Sequence, residues 1–525
     1  MTRRTLVNGS VMGLVAGALA LGVSGVHGTA AARGRAAATA DTAHAVALLA
    51  AARGAPGALC RLAEQALENR WGGGDSWRTP GDPPDTDGTT RWAFARRPAD
   101  YAVPVLVRGI EDPDGCVRGV AARLLARAPV AQVTGGVLPL LASPAPGTRV
   151  AASVALGLAE SDAAVDGLVG RLGDDVVDVR IAAAWALGRV GAARSAAPLR
   201  GVLRDGDAGV RAAAALALGE LEDTAAVDAL ARLLRSDPNE DVRLAAAEAL
   251  GRMEAKRAVP ALGAALGDAS AAVRRTAAWA LGQIEDKAAV PALARALTDR
   301  NDDVRETATW ALGQIEDADA VPALAERLSR DDRAEVRRKA AWALGQIESK
   351  SSVGALGAAL RGDRDAEVRR TAAWALGQIE DRGSAQVLAD ALSDTSEEVR
   401  KVSAWALGQI GPRTAPEALL RAVGHDTPEV REKAAWALGQ IGDDAAVPAL
   451  SAALSDSVGK VRRTALWALG QLDSDAARTA IVGALKDADP EVRARAARAL
   501  GGGNVEPRPE PMPMPQPRPF PGPDE

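Results

Sequence analysis

The sequence repeats itself with a period of 31 residues, and this repeat limits the possible folds more than any other feature. Each copy contains a word such as "EVRRTAAWALGQI" at residues 367–379, in which an arginine follows an apolar residue in every copy but one, where Thr148 precedes Arg149. Nine steps of 31 residues and three of 32 separate the thirteen markers. The marker arginines are Arg118, Arg149, Arg180, Arg211, Arg243, Arg274, Arg305, Arg337, Arg369, Arg400, Arg431, Arg462 and Arg493. The copies therefore extend from about residue 98 to about residue 502.

Each copy holds two helical segments. The second segment, "AVPALARALTD" at residues 289–299, has Pro291 in its opening turn, where a missing N–H costs little. Two antiparallel helices of this length cannot bury their apolar faces alone, whereas stacked copies can. The sequence therefore predicts an all-α protein, a right-handed α-solenoid of about 13 two-helix repeats. The marker arginines recur close to loops rich in acidic residues, so we expect them to pair with carboxylates of neighbouring repeats.

These copies resemble HEAT-like repeats of the short bacterial type, as found in phycobilisome lyase subunits. The period, the "VR" pair, "ALG" and "AVPAL" all match, over 405 of the 525 residues. The copies with tryptophan also resemble the repeat extensions of some BlaR-type membrane metallopeptidases. Those enzymes need an H-E-x-x-H motif, but the three histidines here, His27, His44 and His425, are not followed by glutamate. The protease activity is therefore not implied.

A tryptophan and a glutamine four residues later recur in seven consecutive copies. On a helical wheel Trp279 lies far from the apolar face that Ala277, Leu281 and Ile284 form, within a polar stripe. Ala278 is small, so a neighbouring repeat can approach closely beside it. The seven candidate partner-binding pairs are Trp279 and Gln283, Trp310 and Gln314, Trp342 and Gln346, Trp374 and Gln378, Trp405 and Gln409, Trp436 and Gln440, and Trp467 and Gln471.

Two interpretations of this stripe are open. The indoles either fill the space against adjacent helices, or they line a concave surface that binds an extended chain. The second option is similar in its chemistry to the peptide receptors of the importin-α type, which use W-x-x-x-N. The residues beside the stripe lean basic, with Arg275, Arg370 and Arg463 among them, so the expected partner is a neutral or acidic protein or extended peptide.

The two ends of the chain differ from the repeats. Residues 1–32 combine a basic start, with Arg3 and Arg4, and an apolar stretch, which is typical of an export signal of the Sec or twin-arginine type. An uncleaved membrane anchor is the alternative. Residues 33–97 are expected to form a helical cap and a linker, residues 98–502 the solenoid, and residues 503–525 an extended proline-rich tail.

The remaining residues indicate little chemistry. Cys60 and Cys116 either form a disulfide in an exported protein or remain small buried side chains. The scattered histidines and cysteines do not match a metal site, and no phosphate loop or catalytic motif is present, so we expect no cofactor and no enzyme activity. The net charge of −5 gives no indication of nucleic-acid binding. We expect an exported, monomeric, non-enzymatic interaction scaffold without a membrane span after cleavage; an enzyme-associated module, either a lyase-type subunit or a regulator of a separate metallopeptidase, is the alternative.

Overall fold

A computed structural model describes residues 43, 45–55, 102–472 and 474–501 of the chain. All regular structure within these residues is helical, and they contain no strand. The chain divides into two compact units, Met1–Met253 and Glu254–Glu525. The predicted signal at residues 1–32 and the predicted tail at residues 503–525 lie outside the described residues, as does the predicted cap and linker at residues 33–97 apart from residues 43 and 45–55.

In the first unit, helices that carry the marker arginine alternate with shorter partners. In chain order they are α1 (Val103–Ile110), α2 (Gly115–Leu125), α3 (Val130–Val137), α4 (Pro146–Leu158), α5 (Val165–Arg171), α6 (Val177–Val190), α7 (Ala196–Val202), α8 (Ala208–Glu220), α9 (Val227–Ser236) and α10 (Glu240–Arg252). The even-numbered helices carry the marker arginine.

The second unit continues the same alternation. Its helices are α11 (Val259–Ala265), α12 (Ala271–Ile284), α13 (Val290–Ala296), α14 (Asp302–Ile315), α15 (Val321–Arg330), α16 (Ala334–Ile347), α17 (Val353–Gly362), α18 (Ala366–Ile379), α19 (Ala385–Asp390), α20 (Glu397–Ile410), α21 (Glu417–His425), α22 (Pro428–Ile441), α23 (Val447–Ala453), α24 (Gly459–Gln471), α25 (Asp475–Ala484) and α26 (Pro490–Leu500). Thirteen even-numbered helices, each from one repeat, confirm the predicted α-solenoid.

The core of each unit lies between its even and odd helices. In α18, for example, Val368, Ala372 and Leu376 are fully buried, and α17 contributes Leu356. Within each unit, consecutive even helices pack directly on one another, because alanine and glycine occupy the contact. A Cβ built on Gly345 of α16 would lie only 3.0 Å from the Cα of Ala375 in α18, so only glycine permits this approach.

The marker arginines form a ladder of ion pairs. Arg337 donates from Nε and Nη2 to Asp363 at 2.7 and 2.9 Å, and from Nη1 to the carbonyl oxygen of Asp331 at 2.9 Å. One guanidinium thus joins the loop before α16 to the loop before α18, and so ties two neighbouring repeats together, as predicted. The corresponding pairs are Arg149–Asp174, Arg180–Asp205 and Arg211–Asp237 in the first unit, and Arg274–Asp299, Arg305–Asp331, Arg337–Asp363, Arg369–Asp394, Arg400–Asp426, Arg431–Asp456 and Arg462–Asp487 in the second.

The ladder predicts a specific loss of stability in acid. Burial raises the pKa of Asp174, but hydrogen bonds from Arg149 and the backbone of Val176 outweigh it and lower that pKa from 3.8 to about 2. A carboxyl group with a lower pKa in the folded state stabilises the fold above its unfolded pKa and loses this effect as the pH falls through its folded pKa. We therefore expect the urea midpoint to fall between about pH 4 and pH 2. Asp174→Asn should lower the midpoint at pH 7 and reduce its dependence on pH; a midpoint unchanged down to pH 2 would contradict the role of the ladder.

Two buried serines have hydroxyl groups without a hydrogen-bond partner within the described residues. Ser195 and Ser352 precede α7 and α17 and are fully buried. Alanine holds the same position before α9, α11, α13, α15 and α23. A buried hydroxyl without a partner costs about 1–3 kcal/mol.

Replacing Ser352 with alanine should therefore stabilise the protein by about 1 kcal/mol, measured as an increase in the urea midpoint. Ser384→Ala is the matched control, because the Ser384 hydroxyl donates to the carbonyl oxygen of Asp381 at 2.6 Å. That control should be neutral or destabilising. A Ser352→Ala variant less stable than the wild type would refute the assignment.

A short segment before the linker packs on the start of the solenoid. Residues 45–52 are helical, and Leu49 lies 3.1 Å from the Cβ position of Gly109 in α1. Arg53 forms an ion pair with Asp112, and the N–H of Gly54 donates to Asp114 at 2.8 Å. These contacts are those of a cap on the first repeat.

Cys116 in α2 is disulfide-bonded. The sequence contains one other cysteine, Cys60, which lies outside the described residues. The predicted alternative in which Cys60 pairs with Cys116 therefore falls on a residue outside the described part of the chain and stays a prediction.

Candidate functional site

The tryptophans of the stripe are mostly buried. Five of the seven indoles in the second unit are only 2–8% exposed, and those of α12 and α14 are half-buried. The five are Trp342, Trp374, Trp405, Trp436 and Trp467. The interpretation that these five indoles line an open groove is therefore wrong. They pack between neighbouring repeats instead. Binding of a partner along the stripe stays a prediction.

Each buried indole lies on a glycine of the preceding repeat. A Cβ built on Gly345 would lie 2.7 Å from Cζ3 of Trp374, and the same contact joins Gly313 to Trp342 at 2.5 Å. Gly377, Gly408 and Gly439 meet the next three tryptophans in the same way. The wheel of a single helix correctly placed the tryptophan outside its own apolar face. The glycine of "ALG" in the preceding repeat is the residue that the indole contacts, because a helix without a Cβ at that point leaves room for a flat ring.

The glutamines, in contrast, lie at the surface. Gln283, Gln409, Gln440 and Gln471 are exposed, and Gln314, Gln346 and Gln378 are half-buried. None of these seven amides hydrogen-bonds to another residue of the described part of the chain. The row therefore presents seven unused pairs of donors and acceptors, one on each even helix from α12 to α24.

The basic residues beside the stripe are largely neutralised. Arg370 bonds Glu367 at 2.6 Å, Lys401 bonds Glu398 at 2.5 Å, and Arg338 pairs with Glu335. The two residues of each pair lie three residues apart on the same helix. The glutamate is not part of the stripe, so a helical wheel of the stripe residues alone does not show the pair. These pairs weaken the sequence-based argument for an acidic partner, and the neutral or acidic charge of the partner stays a prediction.

Glutamates lie on the other side of the glutamine row. Glu285, Glu316, Glu348 and Glu380 end their helices in the left-handed conformation, with φ of 52–53°, and are exposed. Glycine holds the same position after α20 and α22, as Gly411 and Gly442. A non-glycine residue is uncommon in this conformation. Neither the left-handed backbone of these glutamates nor the row of negative charge that they form was predicted from the sequence.

One ion pair lies almost inside the stripe. The Lys339 ammonium of α16 bonds Glu306 of α14 at 2.6 Å, and the lysine side chain is 4% exposed. Burial lowers the pKa of Lys339, against the opposite effect of Glu306. Other repeats of this unit place Thr276, Thr307 or Thr371 at the position of this lysine.

The described residues contain no group of three or more histidine, cysteine, aspartate or glutamate side chains arranged to hold a metal ion. Within the same residues, no helix has the length and apolar character needed to cross a membrane.

Comparisons with known proteins agree with the repeat architecture. The family model described as HEAT repeats matches eight overlapping segments between residues 103 and 506. Similar solved structures include the complex of CpcE and CpcF of phycocyanin lyase from Nostoc, at 26% identity over 47% of this chain and 93% of that chain, with a TM-score of 0.27. Importin beta is 15% identical over 87% of this chain and 67% of that chain, with a TM-score of 0.47. Human deoxyhypusine hydroxylase is 28% identical over 48% of this chain and 98% of that chain, with a TM-score of 0.23. No curated protein matches the chain significantly.

Proposed function

Because the chain belongs to the HEAT repeat family, we propose that it acts as a non-enzymatic scaffold that binds an extended segment of a partner protein along the even helices of the second unit. The observation that carries this proposal is the row of seven glutamine amides that make no hydrogen bond within the described residues. A side-chain amide offers both a donor and an acceptor, so it can bond an N–H and a C=O of a peptide backbone. Seven amides in one row would hold an extended chain without depending on its sequence.

The spacing of the row fits such a ligand. Packed helices lie about 8–10 Å apart, and an extended chain advances about 3.3 Å per residue, so each repeat corresponds to roughly three residues of peptide. Consecutive even helices pack more extensively than consecutive odd helices. This difference supports the proposal that the amides lie on the concave side of the stack.

The proposed partner is electrically neutral along the bound segment. Arg338, Arg370 and Lys401 are paired with glutamates on their own helices. On the opposite side of the amides lie exposed carboxylates such as that of Glu348, for which the described residues show no ion pair. A segment with few charges avoids repulsion from the carboxylates and does not need to separate the existing ion pairs. Its backbone then supplies the bonds, while the buried indoles keep the amides at a constant spacing.

We also propose that the protein is exported and acts as a monomer. The basic and apolar start of the sequence and the disulfide at Cys116 support export, because disulfides persist in oxidising compartments. The secreted protein should begin near Ala31 or Arg33 when its N-terminus is sequenced. Replacing Arg3 and Arg4 with lysine should block a twin-arginine route and leave Sec export intact. Recovery of the whole chain from Met1 in the cytoplasm would contradict export.

A peptide selection tests the binding proposal. Unstructured 12-residue peptides displayed on phage are selected on the full chain, and an enriched peptide is titrated by fluorescence anisotropy. Each lost backbone bond should cost about 0.5–1.5 kcal/mol, so changing Gln314, Gln346 and Gln378 together to alanine should weaken binding at least about tenfold. Gln386→Ala is the matched control, because this glutamine lies on the odd helix α19 and bonds Asp390. Equal affinity in the triple variant and the control, or no enriched peptide, would contradict the proposal.

A further inference from the structure

The first unit carries an apolar stripe where the second unit carries a polar one. Two equivalent positions can be compared on every even helix. One is the position that Trp374 holds in α18, which we call the tryptophan register, and the other lies four residues before it. In the second unit the earlier position holds arginine, glutamate or lysine in every repeat from α12 to α24. In the first unit both positions hold apolar residues on the three consecutive even helices α4, α6 and α8. On α10 only the earlier position is apolar, and Glu248 occupies the tryptophan register. The larger apolar residues are Val150 and Val154 on α4, Ile181 and Trp185 on α6, Leu216 on α8 and Leu244 on α10.

These apolar side chains are accessible to solvent. Trp185 is 38% exposed and Leu216 is 36% exposed, while the other four are half-buried. Trp185 lies over Gly157 in the same way as the buried tryptophans, with its Cζ3 3.1 Å from the Cβ position of that glycine. Its exposure is therefore several times that of Trp374 in an equivalent contact. Contiguous exposed apolar surface of this kind marks interaction sites.

The unpaired charges at the edge of this stripe are acidic. The nearest basic residues are engaged: Arg189 lies 3.7 Å from Glu160, and Arg252 bonds Glu220 at 3.0 Å and Glu248 at 2.8 Å. The carboxylates of Asp178, Glu222 and Asp241 are exposed and have no ion pair or side-chain hydrogen bond within the described residues. A partner that covers the stripe therefore gains from positive charge beside its apolar residues.

We propose that this stripe docks an amphipathic helix of a partner protein whose polar side is basic. Four even helices span about 24–30 Å at the usual packing distance, which corresponds to a helix of roughly 16–20 residues. The acidic edge opposes the other occupants. A second copy would bring like charges together, and an anionic lipid surface would be repelled. This site is separate from the glutamine row and does not depend on the function proposed for it.

The test uses the full chain and a synthetic 18-residue peptide with leucine at helical spacings of three and four and lysine elsewhere. Anisotropy of the labelled peptide measures its affinity. The same composition in scrambled order and a version with glutamate in place of lysine are the control peptides. The basic amphipathic peptide should bind most tightly and shift the Trp185 emission to shorter wavelength. Equal binding of the scrambled or glutamate peptide, or no binding at all, would overturn the proposal.

Variants locate the site. Leu216→Gln and Ile181→Gln should each weaken binding about tenfold, since each removes apolar contact area. Asp178→Asn combined with Asp241→Asn should weaken it less and reduce its dependence on salt, and these exposed changes should leave folding intact. Val482→Gln is the matched control, because Val482 is an exposed apolar residue on the odd helix α25. Unchanged affinity in the first three variants, or an equal loss in the control, would refute the site. If sedimentation showed that the wild-type protein is a dimer and that Leu216→Gln makes it monomeric, the occupant of the stripe would be a second copy of this chain and not a partner helix.

Discussion

Replacing Trp374 with alanine should lower the free energy of unfolding by about 3–5 kcal/mol, the usual cost of emptying a buried aromatic site. The indole is 2% exposed and lies between Gly345 of the preceding repeat and its own helix. Because that glycine has no side chain, neither repeat can fill the cavity. The loss should appear as a lower urea midpoint in far-ultraviolet circular dichroism.

Trp185→Ala is the control in the same register. This indole is far more exposed, so its removal should cost less than about half as much. The intrinsic fluorescence should agree: the buried tryptophans should emit at short wavelength and resist a neutral quencher. If Trp374→Ala were as stable as the wild type and the emission were that of solvated indole, the packing role of the ladder would be wrong.

Glu306→Ala should destabilise the protein by about 3 kcal/mol, because it removes the carboxylate that bonds the buried Lys339 ammonium. The cost arises from the charge that remains in the interior, so it should disappear when that charge is removed. Lys339→Thr introduces the residue that other repeats hold at this position. The double variant with Glu306→Ala and Lys339→Thr should therefore return close to wild-type stability.

A complete double-mutant cycle in urea measures this coupling. Lys339→Thr alone should cost much less than Glu306→Ala alone, because the half-exposed Glu306 can be hydrated. Additive losses in the double variant would show that the pair is not coupled. The pH dependence provides a second check. Since the pKa of Lys339 is lowered in the folded protein, its contribution to stability should increase as the pH rises toward 10.5.

The repeat made the architecture predictable, because period, apolar spacing and proline placement all depend on local sequence. Thirteen even helices and the arginine ladder follow from this pattern. The burial of Trp374 was one of two open interpretations, since a wheel drawn for one helix does not show what the preceding helix offers. Gly345 supplies that information only when the register between two repeats is known.

The charges illustrate the same limit. Counting Arg370 and Lys401 as basic flanks ignored Glu367 and Glu398, which neutralise them from the same helices. Glu285 and its equivalents adopt a conformation that favours glycine, and no local propensity indicates it. In the first unit, the sequence did not indicate that the apolar residues Ile181 and Leu216 are accessible to solvent, as the structure shows.

The central claim is that an extended peptide backbone lies along the glutamine row. Photo-crosslinking tests it most directly: a crosslinking side chain is introduced, in three separate variants, in place of Gln346 or Gln378 on the even face and in place of Gln386 on an odd helix. With a selected peptide bound, the account predicts crosslinks from position 346, and crosslinks from position 378 to residues about three places along the peptide. Crosslinks only from position 386, or from all three positions without order, would contradict it.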